Sequence, residues 1–267
     1  MLNTNFTPWP SFSEEEADAV KNVLLSNKVN YWTGNECREF EKEFAVWSNS
    51  KYAIALGNGT LALDSAFKAL DIGIGDEVIV TARTYIASVT SIVNAGAIPI
   101  FADVDLNSQN ITPESIRSKI TKKTKAIVCV HLAGWPCEMD GIMDLSNEFN
   151  LYVIEDCSQA HGASINNKSS GFYSDMSITS FYGSHIINCA GNGGALAINN
   201  DKVMERAKLL RSWGRSSSLF DEKSEKIENR FNSLIGFLTN DSYWKSSIFS
   251  EEIITLCFNI FSAQCFH

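Results

Sequence analysis

Several runs in this chain are apolar at every consecutive position, among them Ala126 to Val130 and Tyr152 to Ile154. A strand of that kind has no polar face to turn toward water, so the sheet it joins must be covered by helices on both sides. From residue 52 onward such runs alternate with helix-like segments: YAIAL, TLALDSAFKAL, EVIVTA, SVTSIVNAG, IPIFADV, a helix start at Thr112-Pro113-Glu114, KAIVCVHL, MDGIMDLSNEF, LYVIED and MSITSFY. The alternation predicts an α/β chain with a mostly parallel, doubly wound sheet. Ahead of it, Ser13 followed by Glu14, Glu15 and Glu16 forms a capping-box start for an amphipathic helix carrying Ala17, Val20, Leu24 and Leu25. The pattern breaks beyond Arg211, where Arg215 to Arg230 is polar and charged. A boundary is expected near residue 215, with residues 1–215 forming the helix and large domain and 216–267 a remnant of linker and second domain.

At 267 residues, 45% of them apolar, the chain can bury a substantial core. Its formal net charge of -9 gives no general attraction to nucleic acid or to anionic membrane, so a nucleotide must be held by a local site. No run approaches the roughly 20 apolar residues that span a bilayer, and the start MLNTNFTPWP lacks a basic region followed by an apolar one. The cytoplasm is the expected compartment. Cys37, Cys129, Cys137, Cys157, Cys189, Cys257 and Cys265 contain no CxxC pair and are expected as buried small hydrophobes, with no metal.

Leu56-Gly57-Asn58-Gly59-Thr60 joins a strand to a helix, so free backbone N–H groups and a helix dipole point at one spot that suits a phosphate. Many such connections bind nothing. Asp156 ends the strand LYVIED, at the sheet edge where open α/β sheets place ligands. A buried carboxylate there needs a cationic or hydrogen-bonding partner: a ring nitrogen, or the turn that follows. Tyr85 follows EVIVTA at the same edge, as a stacking face for a flat ring or as a core aromatic. Ser180 and His185 come from SITSFYGSHI, just before the glycines between Gly191 and Gly194.

In this order, GNGTLAL, Asp76 to Ala87, TKAIVCVHLAGWPCEMD, VIEDCSQAHGA, SITSFYGSHIINCAGNGG and LLRSWGR resemble the DegT family of sugar-nucleotide aminotransferases and dehydratases, from about Thr7 to Phe231. The resemblance implies the large domain of the type I aminotransferase fold and a pyridoxal 5'-phosphate or pyridoxamine 5'-phosphate cofactor. Carried onto this chain, Gly59, Thr60 and Ser180 would hold the phosphate, Tyr85 would stack on the pyridine ring, Asp156 would pair with its nitrogen, and Gln159 would lie beside the ring. Aminotransferases of the family carry, after SFYGS, a lysine that bonds covalently to the cofactor; this chain has His185. Imidazole forms no stable bond of that kind, so a noncovalently held pyridoxamine form is implied. Lys168, in the polar turn SINNKSSG, reads as part of an exposed hairpin rather than as a substitute.

The branch with the same lysine-to-histidine exchange contains 3-dehydratases of nucleotide-linked 4-keto-6-deoxyhexoses, so removal of the C3 hydroxyl in deoxysugar and polysaccharide biosynthesis is the first expectation. His185, with an ordinary pKa of about 6.5, would act first as base and then as acid toward the departing hydroxide. L-glutamate is the expected amino donor. An iron-sulfur cluster is not expected, because Ser216, Ser217 and Ser218 stand where the cluster-bearing branch is rich in cysteine. A sugar-nucleotide aminotransferase is the second expectation, and a homologue that has lost catalysis is the third. Family members continue into a smaller domain and pair as homodimers. Here that domain is expected to be largely missing, with Phe258, Ile260, Phe261 and Phe266 favouring association.

Overall fold

A computed structural model of the chain describes residues 9–31 and 33–212. Nine strands are present among them: β1 (Tyr52–Leu56), β2 (Glu77–Thr81), β3 (Ile98–Ala102), β4 (Thr124–Val130), β5 (Tyr152–Asp156), β6 (Ser164–Ile165), β7 (Lys168–Ser169), β8 (Met176–Ser180) and β9 (Gly194–Ile198). The helices are α1 (Glu14–Leu25), α2 (Glu36–Trp47), α3 (Gly59–Ala69), α4 (Ala87–Asn94), α5 (Pro113–Arg117), α6 (Met139–Phe149) and α7 (Asp201–Arg211). No helix among the described residues is long and apolar enough to cross a membrane.

Seven strands form one sheet in the order β1-β9-β8-β5-β4-β2-β3, and β6 pairs with β7 in a separate hairpin. All neighbours in the large sheet are parallel except β9, which runs antiparallel to both β1 and β8. The mostly parallel, doubly wound expectation holds, with this one reversal. Successive side chains on a strand point to opposite faces, and the consecutive apolar runs divide accordingly. Val78, Val80, Ala126, Val128 and Ile154 pack with Leu63 and Phe67 of α3, Ile92 of α4 and Val203 of α7. Ile79, Ile127, Cys129 and Val153 pack on the other side with Ile116 of α5 and with Ile142 and Leu145 of α6. Phe44 of α2 packs with Ala53, Phe181, Ala195 and Ala197 at the β1-β9 end.

Helix starts follow their local chemistry. Ser13 and Glu16 form the expected reciprocal cap of α1, and Thr112 caps α5 with Pro113 in its first turn. The apolar stripe of α1 behaves differently from expectation: none of its residues is buried, and Val20, Leu24 and Leu25 stay exposed among the described residues. The cap is sufficient to set the helix, while the partner that a stripe requires is not among these elements. Cys129, Cys137 and Cys157 are buried as expected, whereas Cys37 and Cys189 are exposed. The boundary near 215, Ser216 to Ser218 and the apolar tail lie outside the described residues, as do Cys257 and Cys265.

Candidate active site

Two register pairs bring the glycine turn and the end of β8 together. Gly194, the first residue of β9, pairs with Leu56 on one side and with Ser180 on the other. At Gly194 an added Cβ would lie 2.4 Å from the Asn58 carbonyl carbon and 2.5 Å from its oxygen; at Gly59 it would lie 2.8 Å from Ser180 Cβ. Both contacts are closer than side-chain carbons can tolerate, so the glycines serve close approach. Asn58 caps α3, its Oδ1 accepting from the Leu61 N–H at 2.8 Å, and its carbonyl accepts from the Ala62 N–H at 3.1 Å. The N–H groups of Gly59 and Thr60, the first two helical residues, are left without an intrahelical acceptor at the positive end of the helix. Beside them stands buried Ser180, whose Oγ accepts from the Tyr182 N–H at 3.3 Å. Two backbone donors without intrahelical acceptors, with a hydroxyl brought beside them by this close packing, make a cradle for a phosphate.

Asp156 ends β5, in register with Val130 of β4 and Ile178 of β8. It is buried, and its Oδ2 accepts from Ser88 Oγ at 3.0 Å while its Oδ1 accepts from the Ser158 N–H at 3.1 Å. Ser88, on α4, also lies 2.9 Å from Thr84 Oγ1. These partners hold the carboxylate in place without neutralising it, and no lysine or arginine among the described residues pairs with it. That leaves a buried negative charge suited to a protonated ring nitrogen.

The remaining candidates lie on the flanking loops. Tyr85 sits two residues before the start of α4 and is 72% exposed, so the core reading fails and the ring face is open. Gln159 is exposed and accepts through Oε1 from the Ala133 N–H at 2.7 Å, which ties the loop after β5 to the turn Leu132–Gly134. Ala133 has a left-handed φ of 52° in that turn. His185 is half-buried in the β8-β9 connection, its N–H donating to the Tyr182 carbonyl at 2.9 Å. Burial lowers its pKa below the usual histidine value, and the Asp156 carboxylate opposes that shift only in part. Lys168 lies on the small hairpin, its Nζ 4.9 Å and 4.8 Å from the ring centroids of Phe172 and Tyr173.

Three features escaped the sequence reading. Ser88 supports Asp156 from a different element, and no motif marks it. His161 belongs to the QAHGA run but received no role; its ring lies 6.3 Å from that of His185, centroid to centroid. Beneath the edge, His131 Nε2 lies 2.8 Å from Glu155 Oε2, both side chains fully buried. Cys157 completes a cluster with metal-ligand composition, but its atoms are already engaged. His131 Nδ1 accepts from the Cys137 N–H and its Nε2 faces Glu155, so both ring nitrogens are already taken. Glu155 also accepts from the N–H groups of Gly171 and Ser174 and from Ser174 Oγ. Burial pushes the Cys157 thiol up to about 11, so in the absence of an ion it stays protonated. A cavity of about 520 Å³ between Asn110, Thr112 and Trp135 is lined on its inner side by Ile111 and Cys137 of the second core cluster, away from the cradle.

The chain matches the model of the DegT/DnrJ/EryC1/StrS aminotransferase family over residues 10–240. It is 40% identical over 223 residues to a dTDP-3-amino-3,6-dideoxy-alpha-D-galactopyranose transaminase of Aneurinibacillus thermoaerophilus, covering 84% of this chain and 61% of that one. It is 44% identical over 205 residues to a GDP-perosamine synthase of Escherichia coli O157:H7, covering 77% of this chain and 56% of that one. The X-ray structure of an aminotransferase from Psychrobacter cryohalolentis superposes with a TM-score of 0.80 at 56% identity, over 84% of this chain and 56% of that one. The fold is therefore that of PLP-dependent aminotransferases, and the chain spans less than two thirds of the length of these relatives.

Proposed function

The chain belongs to the DegT/DnrJ/EryC1/StrS aminotransferase family, and from that premise we propose that it binds pyridoxal or pyridoxamine phosphate and transfers an amino group to a nucleotide-linked keto-deoxyhexose. L-glutamate is the proposed amino donor, and a homodimer the proposed assembly of a full-length form. The single observation that carries the reading is the pairing of the cradle at Gly59, Thr60 and Ser180 with the buried Asp156 carboxylate on the same sheet edge. Amination, the second of the sequence expectations, takes precedence over 3-dehydration because the similar proteins are a transaminase and an amino-sugar synthase.

Each residue has a task that follows from its place. The Gly59 and Thr60 N–H groups and the Ser180 hydroxyl bind phosphate oxygens at the helix terminus. Asp156, fixed by Ser88 and the Ser158 N–H, keeps a ring nitrogen protonated. Tyr85 offers an open aromatic face and Gln159 the edge of the loop opposite. When bound there, the cofactor supplies the exchangeable amine and a ring that draws electrons from a bond broken beside it. His185 cannot provide the covalent anchor of a lysine, so retention of the cofactor falls to the noncovalent contacts of the cradle and Asp156, with Tyr85 and Gln159 beside the ring. The lysine's other task, moving a proton at the reacting carbon, is one that a neutral, half-buried imidazole can perform.

One observation favours the second reading, 3-dehydration: the residue at that position is His185, and the imidazolium it becomes after accepting a proton is an acid for a departing hydroxide. Product analysis separates the two. The chain is incubated with pyridoxamine phosphate, L-glutamate and a nucleotide-linked 4-keto-6-deoxyhexose, and the sugar product is identified by mass. An amino sugar, lost in Asp156→Ala, is the expected result. A 3-deoxy product would transfer the assignment to dehydration, and an unchanged sugar would sink both.

A further inference from the structure

Ser180 contributes more than its hydroxyl. Its carbonyl oxygen lies 3.1 Å from His161 Nε2. A carbonyl oxygen only accepts, so Nε2 carries a hydrogen and the Ser180 carbonyl fixes the orientation of the ring. Its Nδ1 is buried without a hydrogen-bond partner. The Phe181 ring packs against it at 5.6 Å between centroids, and the His185 ring lies 6.3 Å away. Charging His161 would therefore put a second hydrogen on a buried, unpartnered nitrogen and a second positive charge beside His185. The surroundings of the two rings are unequal. Burial lowers the His185 pKa, but His185 is open to solvent on one side and Asp156, at the end of β5, works against that shift by favouring its charged form. Around His161, burial and the His185 charge oppose protonation, against contributions only from the Ser180 and Ser158 backbone.

We propose that His161 is a positioning residue for His185: with its Nε2–H committed to the Ser180 carbonyl and its Nδ1 buried without a partner, it stays uncharged beside His185, so the two rings share a single proton and that proton sits on His185. The inference rests on the proposed reading of His185 as the proton carrier. It explains what a second imidazole does beside the first, since a partner free to charge would compete for the proton that His185 must take up and return. Two unit charges at this separation, screened by the solvent that reaches His185, make the second protonation harder by roughly tenfold.

The test follows imidazole C2–H signals of the isotopically labelled full chain by NMR against pH, without cofactor, assigned through nuclear Overhauser contacts to neighbouring residues and checked in His161→Gln and His185→Gln. In the unaltered chain His185 is expected to take up its proton first, with His161 following only at lower pH. In His185→Gln the His161 midpoint is expected to move upward, by about the tenfold that the missing charge represents. A His161 that protonates before His185, or one whose midpoint is unmoved in His185→Gln, would overturn the inference. The order of protonation is read on the unaltered chain, so it decides the matter even where a variant does not fold. Independent titration in a chain that retains pyridoxamine phosphate would remove this inference and leave the proposed function standing; shared titration in a chain that binds no cofactor would do the reverse.

Discussion

A methyl group at Gly194 would have to occupy space 2.4 Å from the Asn58 carbonyl carbon, whereas one at Gly59 would press on the Ser180 side chain at 2.8 Å. Backbone yields less than a side chain, so Gly194→Ala is expected to cost about 3 kcal/mol and Gly59→Ala about 1 kcal/mol, both within the usual overpacking range. Denaturant midpoints check the order; equal losses would mean that the strand and the helix terminus separate easily. Ser88→Ala removes the hydroxyl donor from Asp156 and is expected to cost about 2 kcal/mol, as for other hydrogen bonds to a charged acceptor. Retention of pyridoxamine phosphate should weaken with it, and unchanged retention would show that Asp156 is held well enough by the Ser158 N–H alone. At this scale the sequence was readable where chemistry is local. Gly59 and Thr60 sit in a strand-turn-helix connection, and Asp156 ends an apolar strand, so their positions follow from pattern. Ser88 and His161 were not readable, because each acts on a residue from another element and leaves no periodic trace.

Between elements, the pattern of consecutive apolar residues predicted the parallel strands but not β9. Its GALAI run follows directly on glycines that read as a turn, and its insertion in reverse between β1 and β8 is a matter of pairing, which periodicity does not encode. That insertion places Gly194 between Leu56 and Ser180 and so closes the cradle. Glu41 of α2 joins two further elements and a turn: it accepts from the Ala55 N–H of β1 at 2.9 Å, from Arg211 of α7 at 2.6 Å and from the Tyr31 hydroxyl between α1 and α2 at 3.0 Å. Both charged side chains are largely buried, so Glu41→Ala leaves Arg211 without this carboxylate and is expected to cost about 3 kcal/mol, read as a lower thermal midpoint. A neutral outcome would show that α7 stays docked through its apolar residues and its other ion pairs, Arg206 with Asp71 and Asp201 with Lys51.

For the molecule as a whole, acid stability depends on the buried pair under the sheet edge. Burial alone would raise the Glu155 pKa, but donation from His131, the Gly171 N–H and Ser174 outweighs it and lowers the value below the ordinary 4.5. A depressed folded pKa means the unfolded chain binds the proton more readily. The contribution to stability is therefore complete above the unfolded value and is lost as pH falls through the folded one. Glu155→Gln should flatten the acid limb of the stability curve below about pH 4.5 while lowering stability near neutrality; an unaltered acid limb would place the acid sensitivity elsewhere. The central claim is that this chain holds pyridoxamine or pyridoxal phosphate through Gly59, Thr60, Ser180 and Asp156, with His185 where a covalent anchor would stand. The measurement that tests it most directly loads the chain with either form, removes free ligand, treats with borohydride, and compares retained absorbance with intact mass. Retained cofactor on a chain of unmodified mass is the predicted result, and either a lysine fixed to the cofactor or no retention at all would contradict it.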